Sequence, residues 1–66
     1  MVQLITILNI LDPHVATTLY LETTEGIILK FDLADPKDNE RLDFYKTNYI
    51  DSLTAVGPNK ISVKLK

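Results

Sequence analysis

Apolar and polar side chains alternate in two separate parts of this 66-residue chain, strictly in 60–66 and with Ile28 as the exception in 27–33, and this alternation most constrains its fold. The segment 27–33 carries one apolar set, formed by Ile27, Leu29, Phe31 and Leu33. The segment 60–66 carries another, formed by Ile61, Val63 and Leu65, between Lys60, Ser62, Lys64 and Lys66. Successive side chains of a strand point to opposite faces of a sheet. Both segments therefore predict strands with one buried face and one solvated face, and the lysines are expected to protect an exposed sheet edge.

Three further segments predict strands. Residues 2–11 are rich in Ile, Leu, Val and Thr, and no helix cap precedes them, so we expect a first strand with two apolar faces. Residues 15–24 alternate and predict a second strand, and residues 51–56 predict the partner of 60–66. Turns are predicted between these strands at Asp12-Pro13-His14, Glu25-Gly26 and Gly57-Pro58-Asn59.

A single helix is predicted to begin after residue 34. Asp35 is a typical N-cap, and Pro36 suits the first helical position, where its missing N–H costs nothing. Side chains three and four residues apart form its predicted buried stripe, namely Leu42, Tyr45 and Tyr49. Poor helix formers follow, so the helix is expected to end near Lys46 or Asn48.

These elements predict one β-rich α+β domain spanning residues 1–66, in the order βββαββ. Two architectures satisfy the order: a five-stranded antiparallel sheet backed by one short helix, or a small barrel that resembles SH3-like barrels in strand order alone. One helix covers one face of a sheet, so the doubly apolar first strand needs a second cover. Barrel closure or a second copy of the chain is expected to provide it.

Residue usage argues against several kinds of chemistry. There is no cysteine, which excludes a thiolate site, and His14 is the single histidine, which excludes a two-histidine metal site. The two glycines fall in predicted turns, so no glycine-rich phosphate-binding loop is expected. The acidic residues Asp32, Asp35, Asp38, Glu40 and Asp43 lack the spacing of a calcium loop. Neither serine lies in a nucleophile elbow. We therefore expect no enzyme activity, no catalytic or metal site and no cofactor.

The charge and hydropathy patterns bound the partners and the compartment. Seven basic and nine acidic residues give a net charge of −2 and a pI near 5.1, which disfavours nucleic-acid binding. The longest apolar stretch is interrupted by polar residues and falls short of a membrane span. No leader-like pattern opens the sequence, so we expect a cytoplasmic location.

The favoured function is a small interaction module that self-associates and binds another macromolecule, as an accessory or inhibitory protein. One alternative is an oligomer that holds a small anionic, nucleotide-like ligand between its subunits. A second alternative is a nucleic-acid-binding small barrel. Residues expected to contact a ligand or partner are Tyr20, Tyr45, Tyr49, Lys60, Lys64 and Lys66.

Overall fold

A computed structural model describes residues 2–10 and 17–66 of the chain. Its elements follow in the order α1 (Leu4–Ile10), β1 (Thr18–Glu22), β2 (Ile28–Asp32), α2 (Pro36–Leu42), β3 (Ile50–Gly57) and β4 (Lys60–Leu65). The predicted turn at residues 12–14 lies outside the described residues. The fold is a small α+β structure, and this general class was predicted, but the described residues form two helices and four strands. Neither described helix is long and apolar enough to cross a membrane.

The four strands form an open mixed sheet in the order β2-β1-β4-β3. The hairpins β1–β2 and β3–β4 are antiparallel, as predicted, whereas β1 and β4 are parallel, with Leu19 opposite Ile61. The prediction of five antiparallel strands or a barrel is therefore wrong. The lysine-rich strand β4 is also internal rather than an edge, and the edges are β2 and β3.

The predicted first strand is instead the helix α1, and the hydrogen bonds at the start of α1 explain why the strand prediction was wrong. The unpaired N–H groups of its first turn are satisfied by distant carbonyls: Leu4 N–H donates to Asn48 at 2.9 Å and Ile5 N–H to Lys46 at 3.0 Å. Leu4 is buried in the core and Leu8 packs against it. Because this segment is a helix, its two apolar strand faces do not exist, and they give no reason to expect self-association.

Helix α2 begins as predicted and ends earlier. The Asp35 carboxylate accepts the N–H of Lys37 at 2.9 Å, and Pro36 occupies the first turn. Beyond Leu42 the backbone forms tighter turns whose hydrogen bonds span three residues. The Tyr45 N–H donates to the Leu42 carbonyl, and the Asn48 N–H donates to the Tyr45 carbonyl. Of the predicted stripe, Leu42 is buried and Tyr45 packs against the core, but Tyr49 lies beyond the helix and is exposed.

The two hairpin turns have the backbone geometry that their residues indicate. Gly26 has a φ of 83° and Asn59 has a φ of 57°. Both lie in the left-handed region, which glycine adopts freely and asparagine tolerates better than most residues. These turns fix the register in which β1 pairs with β2 and β3 pairs with β4.

The core lies between the helices and one side of the sheet, here called the helix side. Its buried apolar residues are Leu4, Leu19, Leu21, Phe31, Leu42, Val63 and Leu65. Of the four residues predicted to form the core from segment 27–33, Phe31 is fully buried, Leu29 and Leu33 are partly buried, and Ile27 is exposed at the edge of the sheet. The Tyr45 ring meets Phe31 edge-on, with 6.4 Å between the ring centroids.

Candidate functional site

The apolar helix side of the sheet continues onto β3, but the helices do not cover it there. Leu53 of β3 pairs with Val63 of β4, so both side chains point to the helix side. Val63 is 0% exposed, whereas Leu53 is 48% exposed. Ala55, paired with Ile61, is exposed as well. The hydrophobic layer therefore ends at solvent along this strand.

Among the described residues, the outer edge of β3 is paired at its start alone. Ile50 N–H donates to the Val2 carbonyl at 2.8 Å, and Gln3 forms an antiparallel bridge with Tyr49. From Asp51 onward, no segment among residues 2–10 and 17–66 pairs with this outer edge. Such an edge offers backbone donors and acceptors to another strand.

The sequence of β3 does little to protect that edge. Proteins commonly place lysine, proline or several charges on an exposed edge strand to prevent pairing. In Ile50–Gly57 the single charged residue is Asp51, and there is neither lysine nor proline. Register shifts fall between Ile50 and Ser52 and between Ala55 and Gly57. They leave a regular, uncharged segment, residues 52–55, between two irregular ends.

The other sheet edge, β2, borders a shallow groove on the helix side. Two adjoining depressions of about 240 and 260 Å³ share Leu29 and Tyr45 in their walls. Phe44 and Arg41 lie at one end of the groove, and the Arg41 guanidinium stands 5.3 Å from the centroid of the Phe31 ring. Tyr45, one of the predicted contact residues, lies here.

The side of the sheet opposite the helices, here called the open face, is polar, and every side chain on it is exposed or half-buried. Its strand residues in register with a neighbouring strand are Thr18, Tyr20, Glu22, Ile28, Lys30, Asp32, Ser52, Thr54, Lys60, Ser62 and Lys64. Asp51, next to the helix-side residue Ile50, falls on the same side by alternation. The predicted residues Tyr20, Lys60 and Lys64 are thus brought together. Tyr49 and Lys66 adjoin the helix-side residues Ile50 and Leu65, and by alternation they fall on the same side as Lys64.

Tyr45 is consequently separated from the other five predicted contact residues, which lie towards the open face. Tyr45 lines both depressions beside β2, and neither depression is lined by Tyr20 or Tyr49. Lys30, which the sequence interpretation left out of the site, joins the open face beside Tyr20. The alternation in segment 27–33 already indicates that Lys30 points outward. Its position opposite Tyr20 depends on the pairing of β1 with β2, which the sequence pattern does not specify.

The acidic cluster near α2 is occupied by structural hydrogen bonds and ion pairs. Asp32 accepts the N–H of Ala34 at 2.9 Å, and Asp38 accepts the N–H of Asp32 at 2.8 Å. Asp43 pairs with Lys46. Within the described ranges, no group of three or more His, Cys, Asp or Glu side chains is placed to hold a metal ion.

No protein-family model, curated protein or solved structure matches this chain.

Proposed function

We propose that this chain is a small non-catalytic interaction module that self-associates by pairing the β3 edges of two copies, and that it binds another macromolecule as an accessory or inhibitory protein. The observation that carries the proposal is the exposure of Leu53 beside fully buried Val63. Apolar surface that continues a core into solvent, along an unprotected sheet edge, is typical of an interface.

The chemistry of β3 favours a second copy as the occupant. The whole chain carries a net charge of −2, and a neutral edge lets two copies meet without adding local like-charge repulsion. Residues 52–55, with the sequence Ser-Leu-Thr-Ala, provide such a surface. They combine outward backbone groups with apolar side chains, which are the two requirements for strand addition.

Symmetry limits how the two strands can pair. A two-fold axis perpendicular to the sheet makes them antiparallel and keeps the helix sides of both copies together. Because opposite residues must then point to the same side, the pairing centres on a residue, and the regular segment allows two choices. Either Leu53 faces Leu53 of the other copy, or Thr54 faces Thr54 and each Leu53 faces an Ala55. Both registers bring exposed apolar side chains together and extend the four strands to a sheet of eight.

An interface of one short strand and its side chains is expected to bury less than the roughly 1,200–2,000 Å² of a standard protein complex. The predicted dimer is therefore a weak one, whose population depends on concentration. This weakness suits a module that exchanges partners at the same edge, since a stronger strand from another protein would displace the second copy.

Sedimentation equilibrium over about 5–500 µM tests the proposal, because a weak dimer dissociates by mass action as the protein is diluted. We expect the wild-type mass to rise from that of a monomer towards that of a dimer. Leu53→Asp is expected to remain monomeric, because a carboxylate would lie against an apolar partner surface. Ile28→Asp is the matched control, since Ile28 is 64% exposed on the opposite edge strand.

The control should dimerise as the wild type does. A wild-type mass that stays monomeric throughout, or dimers that Ile28→Asp abolishes and Leu53→Asp leaves intact, would overturn the proposal. Circular dichroism on both variants establishes that each is folded, which is expected because both replaced side chains are exposed.

A further inference from the structure

The open face of the sheet places an aromatic ring among lysines, and self-association through β3 does not account for this. Tyr20 lies on the internal strand β1, directly opposite Lys30 of β2 and Ser62 of β4. Lys60 and Lys64 stand two residues to either side of Ser62, as diagonal neighbours of Tyr20. Direct neighbours in a sheet are about 5 Å apart and diagonal neighbours about 7–8 Å. Three lysines therefore surround one half-buried tyrosine.

This face is less acidic than the chain as a whole. Together with Lys66, which continues β4, its strands carry four lysines against three acids, Glu22, Asp32 and Asp51, although the chain has a net charge of −2. Lys64 Nζ lies 3.8 Å from a Glu22 carboxylate oxygen, and Asp32 is engaged with the N–H of Ala34. Neither Lys30 nor Lys60 forms an ion pair with any residue in the described part of the chain. Their ammonium groups face solvent beside Tyr20.

The lysines also form a track along the sheet. Lys60, Lys64 and Lys66 follow one another on β4 and its continuation, and at about 3.3 Å per residue they cover roughly 20 Å. Tyr20 flanks this track at its middle, and Tyr49 flanks it next to Lys66. Hydroxyl groups of Ser62 and Thr54 lie in the same row of the sheet as Tyr20. Aromatic rings beside a line of cations fit a polymer that alternates flat apolar groups with anions.

Single-stranded nucleic acid has this chemistry. Its unstacked bases stack on aromatic side chains, and its phosphates follow a basic track. An acidic peptide would use the lysines but would leave the tyrosine rings without a stacking partner. A duplex would keep its bases within its own stack and so would not reach Tyr20. We propose that the open face binds a short stretch of single-stranded nucleic acid, with a base stacked on Tyr20 and phosphates contacted by Lys30, Lys60 and Lys64.

This site is complete in one copy and does not require the β3 dimer, so the two proposals fail separately. The probes are fluorescein-labelled oligo-dT and oligo-U of about 15 nucleotides, followed by fluorescence anisotropy. With three phosphate contacts, the affinity is expected to fall roughly twentyfold between about 50 and 200 mM salt, from a slope near −0.7 per contact on a single strand. Binding that persists unchanged across this salt range would contradict the phosphate contacts.

Variants separate the open face from non-specific attraction. Tyr20→Ala is expected to weaken binding roughly 5- to 150-fold, the usual effect of losing one stacked base, and Tyr20→Phe to retain it. Lys30→Ala should lower the salt slope by about 0.7. The controls are Phe44→Ala, which removes an 85% exposed aromatic ring near the β2 groove, and Lys37→Ala on α2. Both should bind as the wild type does.

Two results would overturn the proposal. One is the absence of any anisotropy change at about 50 mM salt with up to about 100 µM protein, where phosphate-driven binding is already measurable. The other is a loss of affinity in Phe44→Ala or Lys37→Ala equal to that in Tyr20→Ala. Lys30 and Lys60 are exposed, so their alanine variants should remain folded and keep the test decisive even if Tyr20→Ala is unstable.

Discussion

The Asp38 carboxylate accepts the backbone N–H of Asp32 at 2.8 Å and so ties the first turn of α2 to the end of β2. Asp38→Ala leaves that N–H without its acceptor, and we expect the free energy of unfolding to fall by about 1–2 kcal/mol. Asp38→Asn keeps an oxygen acceptor and should recover most of the loss. Urea denaturation measures both variants. Wild-type stability in Asp38→Ala would show that the bond contributes nothing.

The left-handed backbone at Asn59 makes a second, independent prediction for the β3–β4 turn. Asn59 has a φ of 57°, and its carbonyl accepts the N–H of Thr18 at 2.8 Å. Asn59→Ala should destabilise the fold by about 1–2 kcal/mol, because an alanine Cβ is strained in this region. Asn59→Gly should stay close to wild type. Equal losses in the two variants would mean that the asparagine side chain, rather than the backbone conformation, stabilises the turn.

Local signals were sufficient for the two hairpin turns and for the start of α2. The cap at Asp35, the glycine at position 26 and the Gly57-Pro58-Asn59 turn each act on adjacent residues, and each structure they predicted is present. The pairing of β1 with β4 joins segments about 42 residues apart, and nothing local specifies it. That pairing brings Tyr20 beside Lys60 and Lys64. The three residues could therefore be chosen as candidates from the sequence, but their proximity could not be predicted from it.

Helix α1 was missed for a related reason. Its sequence, LITILNI, fits both a helical stripe and a strand, and the carbonyls that satisfy its first turn belong to residues 46 and 48. Packing against the core therefore selects the helix over the β-branched preference for a strand. No N-cap residue precedes this segment, and by local rules that absence indicates a strand. The prediction was wrong because the carbonyls of residues 46 and 48 accept the N–H groups that a cap would otherwise satisfy.

The docking of α1 predicts a sharp contrast between two of its apolar residues. Leu4 is fully buried, so Leu4→Ala should cost about 2–5 kcal/mol, a large share of the stability of a 66-residue domain. Ile10 is 73% exposed, and Ile10→Ala should stay within about 0.5 kcal/mol of wild type. Thermal and urea denaturation compare them. Similar costs at the two positions would contradict the observed face of the helix.

The absence of natural cysteine makes disulfide crosslinking a clean test of the two dimer registers. A cysteine on the two-fold axis lies opposite the same cysteine of the other copy. The distance between their Cα atoms is one that a disulfide spans readily. We expect either Leu53→Cys or Thr54→Cys to crosslink rapidly under mild oxidation, with the other position slower, which identifies the central residue. Ile28→Cys is the control and should crosslink slowly. Rates equal to that control at both β3 positions would exclude the two registers.

Self-association through β3 is tested most directly by isotope-filtered NMR on a concentrated mixture of labelled and unlabelled chains, which detects contacts between copies alone. We predict nuclear Overhauser contacts from Leu53 of one copy to Leu53 or Ala55 of the other, together with backbone contacts across residues 52–55. A spectrum without contacts between copies, or with contacts confined to the β2 groove or the open face, would contradict the account.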